Sequence, residues 1–398
     1  MALSNRSREA ARISKLSTDS EESRLVLIVA GEASADLHGS NLVKAMRALY
    51  PRLNFFGVGG ERMAEAGVRI LTSSSDMAVV GLTEVFRRLP VIFRTSKKLK
   101  FALKHDRPDL LILIDYPDFN IHIAKTAKLN RVPVLYYISP QVWAWRKGRV
   151  KKIAHRVDRM AVILPFEKSF YNRRGISVDY VGHPLMDTYS SKMERAGSAD
   201  RFSGHNFPTV GLLPGSRRDE VANLLPLMVK ALEIIGSRYP GLRCMLPLAS
   251  TIDLEFVHSF LADSKIKIEI VEGDTRAALG SCDAAMVTSG TATLETAIMG
   301  VPMVLVYKVS PVTYQLGKFA VTVPYIGLVN LVAGEKVVQE LIQGEVTPER
   351  MAREIFLLLE NTEARENMKY KLEGVRERLG RGGASSQTAK IAIEMMKI

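Results

Sequence analysis

A strand–turn–helix–strand unit in the C-terminal half constrains the fold more than any other stretch. Residues 284–287 and 301–306 are short apolar runs typical of buried strands. Between them, Leu294, Ala297 and Ile298 recur at helical spacing. A strand, a helix and a second strand in this order form the repeating unit of a parallel α/β sheet.

The turn of this unit is a candidate site for an anionic ligand. Ser289, Gly290 and Thr291 are small and allow a ligand to approach the first amides of the helix. Those amides lack partners within the helix and carry positive partial charge, so they attract phosphate. Glu295 lies about one turn further on the same face, where it can accept hydrogen bonds from a ribose diol. The alternative is an ordinary turn with a solvated glutamate.

Length and charge narrow the possible classes of protein. With 398 residues, the chain predicts two domains. The net charge of +13 favours an anionic partner, which is nucleic acid, anionic lipid or a phosphorylated substrate. No apolar run approaches the roughly 18–20 residues of a spanning helix.

The sequence shows no pattern for a disulfide framework or a metal site. Cys244 and Cys282 form no disulfide framework. No D-x-D motif and no metal-ligand spacing occurs, so neither a metal nor a cofactor is expected.

A polar loop follows the first predicted strand, at residues 25–30. It spans residues 31–39, and a helix is predicted over about 40–49. An open α/β sheet places a ligand crevice after such a strand. The candidate substrate-binding residues of this loop are Gly31, Glu32, Ser34, Asp36 and His38. We interpret its polar side chains as holding sugar hydroxyls; alternatively, Asp36 caps the helix and the others are solvated.

The segment from Met77 to Phe101 is both apolar and strongly basic. This composition is typical of an amphipathic segment that lies at a membrane surface, with cations on lipid phosphates. The alternative is a core helix with a solvated basic face. Nucleic acid is disfavoured, because no stacking platform accompanies the cations. The predicted membrane contacts are Val79, Val80, Leu82, Val85, Phe86, Arg87 and Arg88.

Two aspartates flank the buried strand at residues 110–114. Asp118 follows its carboxyl end and is a candidate general base, or alternatively a helix cap. Asp109 precedes the strand and therefore lies about 15–20 Å away, which predicts a structural role.

Further candidates follow three later strands. After residues 134–138, the indoles of Trp143 and Trp145 suit the apolar face of a sugar or an acyl chain, unless aromatic burial merely anchors this loop. Gln141 and Trp143 are the candidate substrate-binding residues here. After residues 209–213 come Gly215, Ser216 and Arg217, where the arginine can neutralise a diphosphate unless it is only solvated. Asn330 is a candidate polar contact in an otherwise apolar loop.

The complete pattern predicts two Rossmann-like, doubly wound α/β domains that face a central crevice. The predicted ranges are a disordered leader (1–24), an N-terminal domain (25–185), a linker (186–206), a C-terminal domain (207–346) and C-terminal helices broken near residues 381–383 (347–398).

Six motifs together resemble the lipid-A-disaccharide synthase family, over roughly residues 25–397. The most specific are the stretches at residues 139–145 and 213–217. The motifs are Gly31-Glu32-Ala33-Ser34, Ile114 to Asn120, Ser139 to Trp145, Leu164 to Glu167, Leu213 to Arg217 and Ser289 to Ala292.

The resemblance implies a GT-B fold and an inverting glycosyltransferase. Such an enzyme joins UDP-2,3-diacylglucosamine to 2,3-diacylglucosamine 1-phosphate (lipid X), giving a β-1,6-linked disaccharide phosphate and UDP. It also implies a peripheral protein on the cytoplasmic face of the inner membrane and a homodimer built through the C-terminal segments. The family ties activity to the residues that match Asp118, Asp109, Arg217 and Asn330. For Asp109, this conflicts with the strand-end argument, which predicts a structural role from its position before the strand.

Two other functions remain as alternatives. One is a GT-B enzyme that acts on a soluble UDP-sugar, such as a UDP-N-acetylglucosamine epimerase, which needs no interfacial segment. The other is a basic protein that binds RNA or another polyanion; it predicts a salt-sensitive RNA affinity and leaves Glu295 unexplained.

Overall fold

A computed structural model describes most of the chain: residues 23–77, 82–144, 148–193, 207–321 and 323–398. For residues 82–88, 189–193 and a few positions from 312 to 320, the backbone alone is described. Several predictions therefore concern residues outside the described ranges. These are nearly all of the leader, Val79, Val80 and the second part of the linker.

The first sheet has seven strands, and the apolar runs of its five inner strands are mostly buried, as in parallel sheets covered by helices. The seven strands are β1 (Arg24–Ala30), β2 (Leu53–Gly59), β3 (Val68–Ser73), β4 (Leu110–Ile114), β5 (Val134–Tyr137), β6 (Arg159–Val162) and β7 (Asp179–Tyr180). Their spatial order is β3-β2-β1-β4-β5-β6-β7, and β1 runs parallel to both β2 and β4.

Helices alternate with these strands along the chain. They are α1 (Ala33–Leu49), α2 (Glu61–Glu65), α3 (Ser74–Met77), α4 (Leu82–His105), α5 (Pro117–Leu129), α6 (Arg149–Arg156), α7 (Pro165–Asn172) and α8 (Pro184–Met193).

The second sheet has six strands in the order β10-β9-β8-β11-β12-β13, and β8 runs parallel to both β9 and β11. The strands are β8 (Thr209–Leu213), β9 (Arg243–Leu248), β10 (Ile268–Glu272), β11 (Ala284–Thr288), β12 (Met303–Tyr307) and β13 (Gln339–Ile342). Its helices are α9 (Arg218–Arg238), α10 (Leu254–Leu261), α11 (Thr275–Gly280), α12 (Thr291–Ile298), α13 (Pro311–Ala320) and α14 (Leu328–Ala333). A 3₁₀ turn, Gln343–Glu345, follows β13.

Each sheet changes its direction of growth at one point, between β1 and β4 in the first and between β8 and β11 in the second. Ligands of open α/β sheets bind outside the carboxyl ends of the strands at such a switch point. The residues that follow these four strands are Gly31, Asp115, Pro214 and Ser289. The doubly wound architecture predicted from the sequence is therefore confirmed for both sheets.

Three helices complete the chain: α15 (Pro348–Glu360), α16 (Thr362–Leu379) and α17 (Ala384–Met396). The predicted break near residues 381–383 is confirmed, because Gly380, Gly382 and Gly383 adopt positive φ angles. Asp187 caps α17 by accepting hydrogen bonds from the amides of Gly383 and Ala384, at 2.6 and 3.0 Å.

One predicted helix start changes, and the predicted linker overlaps a helix. Helix α1 begins at Ala33, so the segment predicted as a polar loop is mostly helical. The first part of the predicted linker belongs to α8. By contact density the chain forms two compact units, with one boundary between Leu135 and Tyr136. The domain borders at residues 185 and 207 stay a prediction.

Within the described residues, no helix combines the length and the apolar character that crossing a bilayer requires.

Candidate functional site

The first switch point is built around a tyrosine packed onto a glycine. A Cβ atom placed on Gly31 would lie only 2.7–3.0 Å from ring atoms of Tyr116, so no other residue fits there without moving the ring. The Tyr116 hydroxyl donates to the carbonyl of Met77 at 3.0 Å. The predicted contact residue Gly31 is thus required for packing, and the exposed Glu32 follows it at the start of α1.

A strained turn connects β4 to α5. Asp115 and Tyr116 have φ angles of 47° and 48°, in the left-handed region that residues other than glycine rarely adopt. The Asn120 side-chain amide donates to the carbonyls of Ile114 and Asp115, at 3.2 and 2.7 Å. Asp118 is exposed in the first turn of α5, at the carboxyl end of β4 as the sequence predicts. Its carboxylate is therefore accessible at the carboxyl edge of the sheet.

Asp115 is a candidate residue that the sequence analysis did not single out. Burial and, to a smaller extent, the nearby Glu32 carboxylate raise the pKa of its carboxyl group to about 6, while a hydrogen bond from the Tyr116 amide acts in the opposite direction. Groups with perturbed pKa values cluster at functional sites. Its position directly after a buried central strand was the available signal.

Asp36 has a structural role in place of the sugar contact that the sequence suggested. Its buried carboxylate accepts hydrogen bonds from the amides of Gly60, Arg62 and Met63, at 2.6, 3.2 and 3.1 Å. These contacts cap α2, the short helix after β2. Ser34 is exposed and His38 is half-buried, and both lie on α1.

Asp109 ties the amino ends of β1 and β4 together. It accepts hydrogen bonds from the Leu25 amide, at 2.8 Å, and from Arg24 Nη1, at 3.0 Å. Asp283 holds the second sheet in the same way by accepting from the Thr209 amide, at 2.8 Å. Both aspartates lie at the strand ends opposite to the switch points, which supports the strand-end argument for a structural role.

We expect Asp109→Ala to lower the free energy of unfolding by about 1–3 kcal/mol, because the Leu25 amide loses its side-chain acceptor. Urea denaturation measures this loss, and Asp283→Ala should give a loss of similar size as the matched control. Turnover of the folded Asp109→Ala protein should stay within a few-fold of the parent. A large loss of turnover at unchanged stability would instead assign Asp109 to the chemistry.

Trp143 anchors its loop from inside the protein. Its side chain is buried, its Nε1 donates to Glu167 Oε1 at 3.1 Å, and its ring meets Phe166 edge-on at 4.8 Å. Glu167 also accepts from the amides of Ile163 and Leu164, and burial raises the pKa of its carboxyl group to about 7. These contacts favour the anchoring alternative for Trp143, while Gln141 is exposed.

The second switch point presents an arginine at the start of α9. Glu220 accepts hydrogen bonds from the amides of Ser216 and Arg217, at 3.1 and 3.2 Å. Its other oxygen pairs with Arg217 Nη1 at 3.1 Å, yet the arginine side chain is 72% exposed. Gly215 has φ 123°, and a Cβ there would collide with Glu220. Glu220, which the sequence analysis missed, thus shapes a turn that holds Arg217 toward solvent.

The turn after β11 leaves the start of α12 open. Gly290 has φ 138°, and a Cβ atom there would meet no described residue within 4 Å. Thr291 begins α12, and the Ser289 hydroxyl donates to the carbonyl of Ile326 at 3.1 Å. Glycine is needed here for its backbone conformation, and no described residue crowds the position of the missing side chain. This geometry suits an anionic ligand.

Glu295 lies one turn into α12 in a desolvated position. Burial raises the pKa of its carboxyl group to about 7, and the opposing effect of Arg276 is smaller. A half-buried carboxyl one turn into a helix can accept hydrogen bonds from a neutral diol, as the sequence suggested.

Asn330 supports the neighbouring loop and has all its hydrogen-bonding atoms occupied. It is fully buried. Its Nδ2 donates to the Val338 carbonyl and to Glu340 Oε1, and its Oδ1 accepts from the amides of Val337 and Val338. Glu340 in turn accepts from the amide of Ile326, the residue whose carbonyl Ser289 contacts. Asn330 therefore supports this loop, and the direct polar contact expected from the sequence stays a prediction.

Two further predictions meet the described residues only in part. The side chains of Leu82, Val85, Phe86, Arg87 and Arg88 lie outside what the structure describes. In the described ranges, no group of three or more His, Cys, Asp or Glu side chains could hold a metal ion.

Comparison with known proteins gives a family and a fold. The family described as Lipid-A-disaccharide synthetase matches residues 26–394. The Lipid-A-disaccharide synthase of Geobacter metallireducens is 50% identical over 372 residues, covering 93% of this chain and 97% of that protein. That of Trichlorobacter lovleyi is 48% identical over 373 residues, covering 94% of this chain and 97% of that protein.

Solved structures with the same fold include both transferases and epimerases. The MnaA–UDP structure of S. aureus has a TM-score of 0.65 at 13% identity, covering 94% of this chain and 98% of that one. The glycotransferase of kitacinnamycin has a TM-score of 0.63 at 14% identity, covering 94% of this chain and 100% of that one. At these identities the likeness concerns the GT-B fold alone.

Proposed function

The chain belongs to the lipid-A-disaccharide synthase family of glycosyltransferases, and we propose that it joins UDP-2,3-diacylglucosamine to 2,3-diacylglucosamine 1-phosphate. The products are a β-1,6-linked disaccharide phosphate and UDP. One observation carries the proposal beyond family membership: each sheet presents chemically suited residues at its own switch point. These are Asp118 in the first sheet, and Arg217 with the start of α12 in the second.

The second sheet is proposed to bind the UDP part of the donor. Arg217 is largely exposed beside a glycine turn, and no described residue lies within 4 Å of a Cβ atom placed on Gly290, directly before α12. Both supply positive charge to the diphosphate as it leaves, so the proposed reaction needs no metal ion. Glu295 is proposed to accept hydrogen bonds from the ribose hydroxyls.

The first sheet is proposed to activate the acceptor. Asp118 takes the proton from the 6-hydroxyl of the acceptor as that oxygen forms a bond to the anomeric carbon of the donor. The bond from this carbon to the diphosphate oxygen breaks, and the negative charge leaves with UDP. Attack from the face opposite to UDP inverts the anomeric configuration.

An assay with two donors tests this proposal. Mass spectrometry should detect the disaccharide phosphate from the acylated donor and acceptor, with UDP released in parallel. UDP-N-acetylglucosamine alone should be neither epimerised nor hydrolysed. Turnover of that soluble donor, without any product from the acylated pair, would support the epimerase-like alternative, which the family match does not favour.

We further propose that α4 contacts an anionic membrane surface. Phe93 and Phe101 are 66% and 62% exposed, which is unusual for large apolar side chains. They lie eight residues apart on one helix face with Lys97 between them at helical spacing. Three more exposed cations, Arg94, Lys98 and Lys104, accompany them. Exposed aromatic residues among cations suit the boundary between acyl chains and lipid phosphates.

The double variant Phe93→Ser and Phe101→Ser should lower the partition of the protein onto phosphatidylglycerol-containing liposomes by at least about tenfold, because each phenylalanine buries apolar area there. Cosedimentation measures the partition. Leu129→Ser is the matched control, since Leu129 is 75% exposed on α5 and outside the proposed face. Unchanged cosedimentation of the double variant would refute this surface.

Two proposals on assembly and location follow from the family. We propose a homodimer built through the C-terminal helices, where Leu357 and Tyr370 are exposed. We also propose that the protein works on the cytoplasmic face of the inner membrane, where both lipid-linked substrates and anionic headgroups are present.

A further inference from the structure

The connection between β4 and α5 adopts an unfavourable backbone conformation. Two consecutive residues that are not glycine, Asp115 and Tyr116, lie in the left-handed region. Each such residue is energetically unfavourable and persists only where its surroundings enforce the conformation. Only Asp115 and Tyr116 lie between β4, which ends at Ile114, and α5, which begins at Pro117. These two strained residues therefore set the direction in which α5 leaves the sheet.

Asn120 is the side chain that enforces this conformation from within the protein. It is fully buried, and its Nδ2 atom reaches the carbonyls of both Ile114 and Asp115. Its Oδ1 atom is buried and has no hydrogen-bond partner among the described residues. A buried amide whose oxygen has no hydrogen-bond partner destabilises the protein, so its presence needs an explanation. The two hydrogen bonds that its Nδ2 atom makes across the strained turn explain it.

Tyr116 provides a second constraint on the same turn. Its left-handed backbone directs the ring onto Gly31, where no Cβ could fit, and its hydroxyl reaches the Met77 carbonyl. The ring also lies 5.8 Å from that of Phe119 in α5. The end of β1, the end of α3 and the first turn of α5 are thus held together around one residue.

We propose that Asn120 is a positioning residue of the glycosyl transfer: by locking the left-handed turn at Asp115 and Tyr116, it directs Asp118 toward the acceptor hydroxyl. This inference rests on the proposed role of Asp118 as the base. Asp118 lies two residues after the turn, in the first turn of α5. A displacement of a catalytic group by about 1 Å can lower a rate by about 10²-fold, so a small rotation of this helix start matters.

A double-mutant cycle tests the proposal. Asn120→Ala alone should lower kcat at least about tenfold, with the KM for the donor and the affinity for UDP within a few-fold of the parent. In an Asp118→Ala background, the same change should lower the residual kcat by less than about twofold, because the group that Asn120 positions is absent.

Asn130→Ala is the matched control. Asn130 lies at the other end of α5 and also donates to a backbone carbonyl, that of Thr126, at 2.8 Å. Its replacement should leave kcat unchanged. If Asn120→Ala does not fold, Asn120→Asp keeps the size of the side chain and removes its donors to the two carbonyls. UDP affinity and thermal unfolding show which variants are folded.

The possible outcomes distinguish a failure of the proposed role of Asn120 from a failure of the proposed role of Asp118 as the base. Equal fold losses from Asn120→Ala in both backgrounds, or an unchanged kcat, would overturn the role of Asn120 and leave Asp118 as the base. Full turnover by Asp118→Ala alone would overturn the base itself, and with it this inference.

Discussion

Replacement of Asp118 by alanine is expected to lower turnover by at least about 10²-fold while the affinity for UDP stays intact. Asp118 is exposed in the first turn of α5, at the switch point of the first sheet. It is proposed to receive the proton of the acceptor hydroxyl, and no other part of the account requires it to bind UDP. Initial rates with both lipid substrates and calorimetry with UDP measure the two quantities.

Asp106→Ala serves as the control for this change. Asp106 is an exposed aspartate that follows α4, at the opposite end of β4 from Asp118. Its replacement should leave both quantities unchanged. Turnover of Asp118→Ala at the parent rate would show that another group accepts the proton, and Asp115 would be the next candidate to test.

Arg217→Ala is expected to lower kcat by about 10²–10³-fold. Removal of one preorganised group that stabilises developing charge typically has an effect of this size in enzymes. The charge that Arg217 is proposed to stabilise grows as the diphosphate leaves, so kcat should fall more than the affinity for the intact donor. Lysine at this position should restore part of the rate, because it keeps the charge and loses the planar fork. Steady-state kinetics with a saturating acceptor measure these effects.

Arg218→Ala is a closely matched control for Arg217. Arg218 follows it directly at the start of α9, but its guanidinium pairs with Asp253 and lies 4.0 Å from the ring centroid of Phe256. Its side chain therefore has protein partners of its own, and we expect its removal to leave kcat within a few-fold of the parent. Equal losses from both variants would indicate a general effect of positive charge on this surface.

The fold and the location of the candidate site were predictable because local patterns determine them. Short apolar runs alternate with helical spacing, and small or charged residues follow the strands beside each switch point. Asp118, Arg217 and Glu295 were selected as candidates in this way, since each follows the end of a strand beside a switch point. The carboxyl ends of parallel strands share one edge of a sheet, so a position in the chain translates into a position in the site.

The roles of other residues depended on partners far away in sequence. Asp36 caps a helix that begins 25 residues later, and Asn330 is satisfied by β13 and the residues before it. Trp143 is anchored by Glu167, 24 residues further on. No local pattern distinguishes such buried polar contacts from ligand contacts, because the same side chains serve both. The perturbed pKa of Asp115 likewise depends on burial, which only the tertiary structure reveals.

The most direct test of the central claim is product formation in the presence of EDTA. The purified protein, in detergent, receives UDP-2,3-diacylglucosamine and 2,3-diacylglucosamine 1-phosphate, and mass spectrometry and NMR follow the product. The account predicts a β-1,6-linked disaccharide phosphate, with one UDP released per product and no need for added metal. Absence of this product under conditions where the protein binds UDP, or formation of an α linkage, would contradict it.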